Sequence, residues 1–207
     1  MDLSIQKLSK AFNQKQVFHD LSFDIQEGAR FAITGSNGAG KSTLLKILSG
    51  GMLPSSGKII FSHDGKNIRE QDVFRQVHFV APYNSVIEEL TLKELFQLHK
   101  SLGLLSKYIH FQKWFPILEY SFNPDQPIKS YSSGMKQRVK LGLVLPDDRP
   151  LLLLDEPTSN LDAKGKSWFF SLVQQLNDSQ TLVIASNDQA EISYCSTGIN
   201  LETSTLS

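Results

Sequence analysis

The run Gly35 to Ser42, GSNGAGKS, constrains the fold more than any other stretch, because it satisfies GxxxxGK[ST] between a short apolar run and a helical pattern. Arg30 to Thr34 (RFAIT) is apolar and β-prone, and the segment Ser42 to Leu48 has helical spacing, so the order is strand, glycine-rich loop, helix. In such a loop successive backbone N–H groups turn inward toward phosphate oxygens, and the positive end of the following helix dipole adds to that field. Lys41 is placed to reach the β- and γ-phosphates of a nucleoside triphosphate, and the Ser42 hydroxyl to ligate a bridging Mg²⁺. The expected nucleotide-binding residues are therefore Gly35, Ser36, Asn37, Gly38, Ala39, Gly40, Lys41, Ser42 and Thr43. A chance match in a chain of 207 residues is roughly a one-in-a-hundred event even before the flanking elements are considered.

Two further buried strands are expected. Leu151 to Leu154 ends in Asp155 and Glu156, and Thr181 to Ala185 (TLVIA) follows after the segment AKGKSWFFSLVQQL. In that segment Trp168, Phe169, Leu172, Val173 and Leu176 recur at helical spacing, which makes it the crossover helix of a βαβ unit. Open α/β sheets present ligand-facing groups beyond the carboxyl ends of their strands. Asp155 is thus the expected Mg²⁺ ligand, and Glu156 the general base that polarises the attacking water.

From Asn84 to about Leu145 the pattern is helical with little strand signal. Thr91 and Glu94 form a capping box ahead of Leu92, Leu95 and Phe96, and Phe111, Trp114, Phe115 and Leu118 suggest a second short helix that Pro116 interrupts. The expected organisation is one α/β P-loop domain, with a core of residues 1–83 and 146–207 and an inserted helical subdomain at 84–145. The polar tail Glu202 to Ser207 reads as a frayed end.

Charge and cysteine content exclude several function classes. Lys plus Arg and Asp plus Glu number 21 each, so no basic field exists to hold nucleic acid, and no nucleic-acid partner is expected. No run approaches the roughly 18 apolar residues of a spanning helix. The start lacks a signal peptide's apolar region and the single Cys195 has no partner thiol, both of which favour the cytosol. Cys195 is assigned no role.

Three motifs in order, the phosphate loop, YSSGMKQR (Tyr131 to Arg138) and LLLLDEPTSNLD (Leu151 to Asp162), resemble the ABC-type ATPases over essentially the whole chain. The resemblance implies a mixed sheet flanked by helices, ATP and Mg²⁺ as cofactors, and two domains binding head to tail. The signature residues Ser132, Ser133 and Gly134 of one copy would then meet the γ-phosphate of ATP held by the other, while Ser159 to Asp162 touch the partner's site. Phe12 matches the aromatic that stacks on adenine, and Val17 its apolar neighbour. Tyr83 stands where the family has Gln, and Asn187 where it has the His that contacts the γ-phosphate. Ser133 and Met135 replace the commoner Gly and Gln of the signature.

The function implied is the motor subunit of a membrane transporter. It would be cytoplasmic and peripheral on the inner face of the membrane, paired with a second copy or a paralogous ATPase and docked on a separate membrane-spanning subunit. The alternatives are a soluble non-transport ATPase of the same type and a slow ATP-dependent switch, the latter suggested by Tyr83 and Asn187.

Overall fold

The computed structural model describes residues 1–13, 15–203 and 205–206. Its elements in chain order are β1 (Asp2–Phe12), β2 (Lys15–Ile25), β3 (Arg30–Thr34), α1 (Lys41–Leu48), β4 (Ser56–His63), β5 (Lys66–Ile68), β6 (Val77–Val80) and α2 (Leu92–Ser101). There follow α3 (Phe111–Trp114), α4 (Ser133–Val144), β7 (Leu151–Asp155), α5 (Ala163–Gln174), β8 (Thr181–Ala185), α6 (Gln189–Ile192), β9 (Thr197–Asn200) and β10 (Thr205–Leu206). Contacts group them into two compact units. One comprises Met1–Phe79, Arg149–Glu156 and Asn177–Ser207, the other Val80–Asp148 and Pro157–Leu176.

The first unit holds two sheets. Strand order in the larger is β10-β9-β3-β8-β7-β6, with β3 paired in parallel to both β8 and β9, and β7 in parallel to β8. Every residue of β7 and β8 is buried, as expected for strands covered on both faces. The strands Arg30–Thr34 and Thr181–Ala185 coincide with the sequence reading, and Leu151–Leu154 gains Asp155. The tail expected to fray contributes β10, where Thr205 and Leu206 pair antiparallel with Asn200 and Ile199. Ser204 and Ser207, also part of that expectation, lie outside the described residues.

The smaller sheet, β2-β1-β4-β5, is antiparallel. Leu3, Ile5, Leu8, Phe18, Leu21, Phe23 and Ile25 bury its inner face against Leu44, Leu45 and Leu48 of α1. Its alternation is interrupted twice. Lys7 and Asp20 take left-handed φ values of 49° and 54°, and the register of β1 against β2 shifts between Ile5 and Leu8. The backbone amides displaced there are satisfied by serines: Lys7 N–H donates to Ser22 Oγ and Asp20 N–H to Ser9 Oγ, each at 2.9 Å.

The second unit is helical. Thr91 caps α2 through the expected reciprocal box, accepting from the Glu94 amide while the Glu94 carboxylate accepts from the Thr91 amide at 2.8 Å. The run from Phe111 divides: α3 ends at Trp114, and Phe115–Leu118 continues as a 3₁₀ turn with Pro116 in its first turn, where a missing N–H costs nothing. Residues 157–176, read from sequence as part of the core, group here instead, since Trp168 Nε1 donates to Ile117 O at 2.7 Å and the Arg138 guanidinium lies 4.4 Å over the Trp168 ring.

Trp114 is fully buried at the centre of this unit, with its indole donating to Gly142 O at 2.6 Å and packing 5.1 Å from the Phe96 ring. Trp114→Ala is expected to destabilise the chain by about 3–5 kcal/mol through the cavity left and the orphaned carbonyl. Chemical denaturation checks this; a midpoint unchanged from the native chain would mean the unit does not depend on this side chain.

Candidate nucleotide site

Parallel pairing brings the candidate residues of the first unit to one edge of the larger sheet. Ile33 of β3, Ala185 of β8 and Asp155 of β7 lie side by side, and the ladder is extended by Ser186 N–H to Ile33 O at 3.1 Å and Glu156 N–H to Ala185 O at 2.9 Å. One or two residues beyond this line come the glycine loop, Asn187 and Glu156. Three segments distant in sequence thus converge within strand spacings of about 4.8 Å.

The loop between β3 and α1 depends on glycine. Gly38 and Gly40 have φ of 89° and 103°, and a Cβ on Gly40 would sit 2.5 Å from Val17 Cγ1. Val17 therefore packs against the back of the loop. Lys41, 6% exposed, donates through Nζ to Gly35 O at 2.6 Å and Ser36 O at 3.2 Å, folding its cation over the loop. α1 has no side-chain cap, so its first amides point into the space in front of the loop. This is the anion-binding arrangement of a helix N-terminus.

Asp155 is 2% exposed at the end of β7, whereas Glu156 is exposed and takes φ 43°, a left-handed turn uncommon for a residue with a Cβ. The turn separates the two carboxylates: one closes the strand and one projects. The Ser42 hydroxyl is half-buried and the Asp155 carboxylate buried, and each offers oxygen, the donor that suits a hard cation such as Mg²⁺ and not a thiophilic metal. Asn187 is exposed, and its Nδ2 donates to Asn37 Oδ1 at 3.4 Å, which ties the segment after β8 to the phosphate loop.

Phe12 ends β1 with 47% exposure, and Lys10 Nζ lies over its ring, 4.9 Å from the centroid. The nearby Gln14 lies outside the described residues. Burial pushes the Cys195 thiol up to about 12, with Arg30 opposing this only in part.

In the second unit Ser132 caps α4, its Oγ accepting from Met135 N–H at 3.2 Å, and Ser133 and Gly134 form the first turn. The loop after Pro157 is tight against it, for a Cβ on Gly134 would meet Asn160 O at 2.7 Å. Asp162 caps α5 by accepting from Gly165 N–H at 2.7 Å. Together with Tyr120 and Arg138 these segments line a cavity of about 220 Å³. Tyr83 lies in this unit and is exposed. The sequence did not point to Tyr120 or Arg138 as lining residues of this cavity. No spacing rule links Tyr120 to the serine-capped helix; only the packing of Arg138 between Trp168 and Tyr120 does.

Fold and site geometry together define a P-loop nucleotide-binding cassette. The chain belongs to the ABC transporter family, whose sequence model matches residues 18–159. The arabinose import ATP-binding protein AraG of Mannheimia succiniciproducens is 32% identical over 192 residues, which cover 88% of this chain and 38% of AraG. The lantibiotic transport ATP-binding protein SrtF of Streptococcus pyogenes is 30% identical over 198 residues, covering 93% of this chain and 82% of SrtF. Among solved structures, a putative ABC transporter ATP-binding protein from Pyrococcus furiosus matches with a TM-score of 0.82 at 23% identity, covering 98% of each chain. A dimeric ATP-binding cassette in a post-hydrolysis state, bound to ADP and Pi, matches with 0.80 at 22%, covering 96% of this chain and 93% of the other. These two likenesses establish the fold. No helix among the described residues is long and apolar enough to cross a membrane.

Proposed function

We propose that the chain is the Mg²⁺-dependent, ATP-hydrolysing motor subunit of a membrane transporter, with ATP held between two head-to-tail copies or between this chain and a paralogous subunit. The reading places it in the cytoplasm, peripheral on the inner membrane face through a membrane-spanning partner. One observation carries it: Lys41, Asp155, Glu156 and Asn187 converge at one sheet edge around a loop built to receive phosphate. The names of AraG and SrtF, import and transport ATP-binding proteins, support the transport role.

In this reading Phe12 stacks on the base and Val17 backs the loop. Lys41 turns from the loop carbonyls to the β- and γ-phosphates, and Ser42 and Asp155 hold the cation. Mg²⁺, when bound, supplies positive charge that offsets charge developing during phosphoryl transfer. Glu156 accepts the proton of the attacking water, and Asn187 orients that water. The exposed start of α4, with Ser132, Ser133 and Gly134, meets the γ-phosphate of the opposing copy. Two measurements test the proposal. Steady-state ATP hydrolysis by the purified chain should be lost on chelating Mg²⁺, and a multi-spanning protein should co-purify from detergent-solubilised membranes. Hydrolysis unaffected by chelation, or recovery of no membrane protein, would count against the metal role or the transport role respectively.

A second reading, a switch with slow turnover, draws on Asn187. An Asn amide can donate and accept one hydrogen bond each but carries no cationic ring, so a charge-assisted term toward the γ-phosphate is missing. Its absence corresponds to about 1.4–2.8 kcal/mol, or about 10- to 100-fold in rate. Asn187→His is expected to match or exceed the native rate and Asn187→Ala to fall below it, in steady-state assays at saturating ATP. If Asn187→Ala equals the native rate, Asn187 is a turn residue with no part in the chemistry.

A further inference from the structure

Gln137 is a polar residue in an apolar place. It lies on α4, 1% exposed, among the buried side chains of Val139, Leu141 and Leu143. A buried polar group without a partner costs free energy, so an amide here calls for a reason. Its Nε2 donates to Pro157 O at 2.7 Å. A carbonyl can only accept, so the amide nitrogen has to face Pro157 and the amide oxygen has to turn away. Gln137 Oε1 is left buried with no hydrogen-bond partner among the described residues. An apolar side chain would leave no such atom, and the link to Pro157 is what the amide adds.

The helix meets the loop after Pro157 at a second point. Gly134 and Gln137 are three residues apart on α4 and share a face, and Pro157 and Asn160 are three apart on the loop. Gly134 lacks the Cβ that would come within 2.7 Å of Asn160 O, while Gln137 holds Pro157 O. Between these points the chain turns tightly, with Leu161 N–H donating to Thr158 O at 3.0 Å and Asn160 at φ 66°. Asp162 then caps α5 through Gly165 N–H. Gln137 therefore fixes the entry of the loop, and the cap of α5 fixes its exit. The Ser159 Oγ, midway, is buried and has no hydrogen-bond partner among the described residues, so that hydroxyl does not hold the turn.

We propose that Gln137 is a positioning residue: it registers the 157–162 loop against the start of α4, so that residues 132–134 and 159–162 meet an opposing copy as one preformed surface. The inference rests on the head-to-tail sandwich reading and names what aligns the two segments that one copy presents to the other. Without the link the competent setting of the loop becomes one of several, and the apparent affinity of the dimer falls by the fraction of copies that hold it. Each sandwich uses two such loops. The loss is therefore taken twice, whereas binding of ATP to a single copy does not draw on the link.

The test adds Gln137→Met or Gln137→Leu to the Glu156→Gln chain, in which hydrolysis is suppressed and ATP-dependent dimers accumulate. Both substitutions remove the donor together with the unpartnered Oε1, so the melting temperature should change little. Dimerisation at saturating ATP, followed by sedimentation, should be roughly 10- to 100-fold weaker, the size expected for one neutral hydrogen bond lost in each of two copies. ATP affinity of the monomer should be unaltered. Amide hydrogen exchange of the nucleotide-free monomer gives a second readout: exchange at Leu161 should quicken while the amides within α4 and α5 stay protected. Native dimer affinity in both variants, or unchanged exchange at Leu161, overturns the proposal. So does a large fall in melting temperature in both with exchange quickened throughout the helical unit, which would make Gln137 a support of the whole unit and not of the loop. If the Glu156→Gln chain itself forms no ATP-dependent dimer, the sandwich reading fails first and this inference with it.

Discussion

Lys41→Ala is expected to reduce ATP affinity by about 100-fold or more, to the point where titration calorimetry detects no saturable binding. The ammonium is a buried cation within the loop, seated by Gly35 O and Ser36 O, and in the proposed function it moves onto phosphate oxygens. Hydrogen bonds to a charged partner contribute about 1.5–3 kcal/mol each, so losing two accounts for a change of that size. Alanine leaves the glycine turn and the start of α1 in place. Binding should therefore disappear without unfolding, which circular dichroism and thermal melting can show. Retention of native affinity would remove the phosphate-loop assignment and with it the rest of the proposed mechanism.

The second large effect belongs to Glu156. Glu156→Gln keeps the shape of the side chain and the same strained φ of 43°, and the position is exposed, so stability should be unaltered. The amide cannot take a proton from water. Turnover should fall by about 10²- to 10⁴-fold while ATP affinity stays within a few-fold of native. Arrested before hydrolysis, the variant should also accumulate an ATP-dependent dimer in sizing experiments. A turnover equal to native would place the general base elsewhere, and an ATP-bound variant that stays monomeric would require a different subunit to complete the sandwich.

Three strands of the parallel sheet, β3, β7 and β8, were legible in the sequence because they are short, mainly apolar runs bounded by Gly35, Asp155 and Ser186, whereas β9, which pairs in parallel with β3, was not. Nor was the antiparallel sheet. β1 and β2 do alternate, but the left-handed residues Lys7 and Asp20 each shift the phase, so Ile5 and Leu8, or Phe18 and Leu21, read three apart instead of two or four. Phe12 and Val17 were recognised within it only through the family resemblance. The capping box at Thr91 was readable because its two hydrogen bonds are local. The grouping of α5 with the helical unit was not, because the hydrogen bond from Trp168 to Ile117 spans 51 residues of sequence and no local pattern announces it. At the site, residues joined by a motif were found and residues joined only by folding, as Asn187 is to Asn37, were missed as pairs.

The close approach of Gly134 to Asn160 O changes how variants at that position are to be interpreted. A methyl group there collides with a neighbouring carbonyl whether or not a phosphate ever arrives, so the position answers to two demands at one atom. Inactivity of Gly134→Ala would therefore report a displaced 157–162 loop as readily as a lost anion contact. A backbone ester at position 134, which deletes the N–H and adds no bulk, separates the two: it leaves the loop where it is and tests the amide alone. By the same reasoning Ser133, whose side chain is exposed at the helix start, is the position where a serine-to-glycine change would test the proposed contact with an opposing nucleotide without moving the loop behind it.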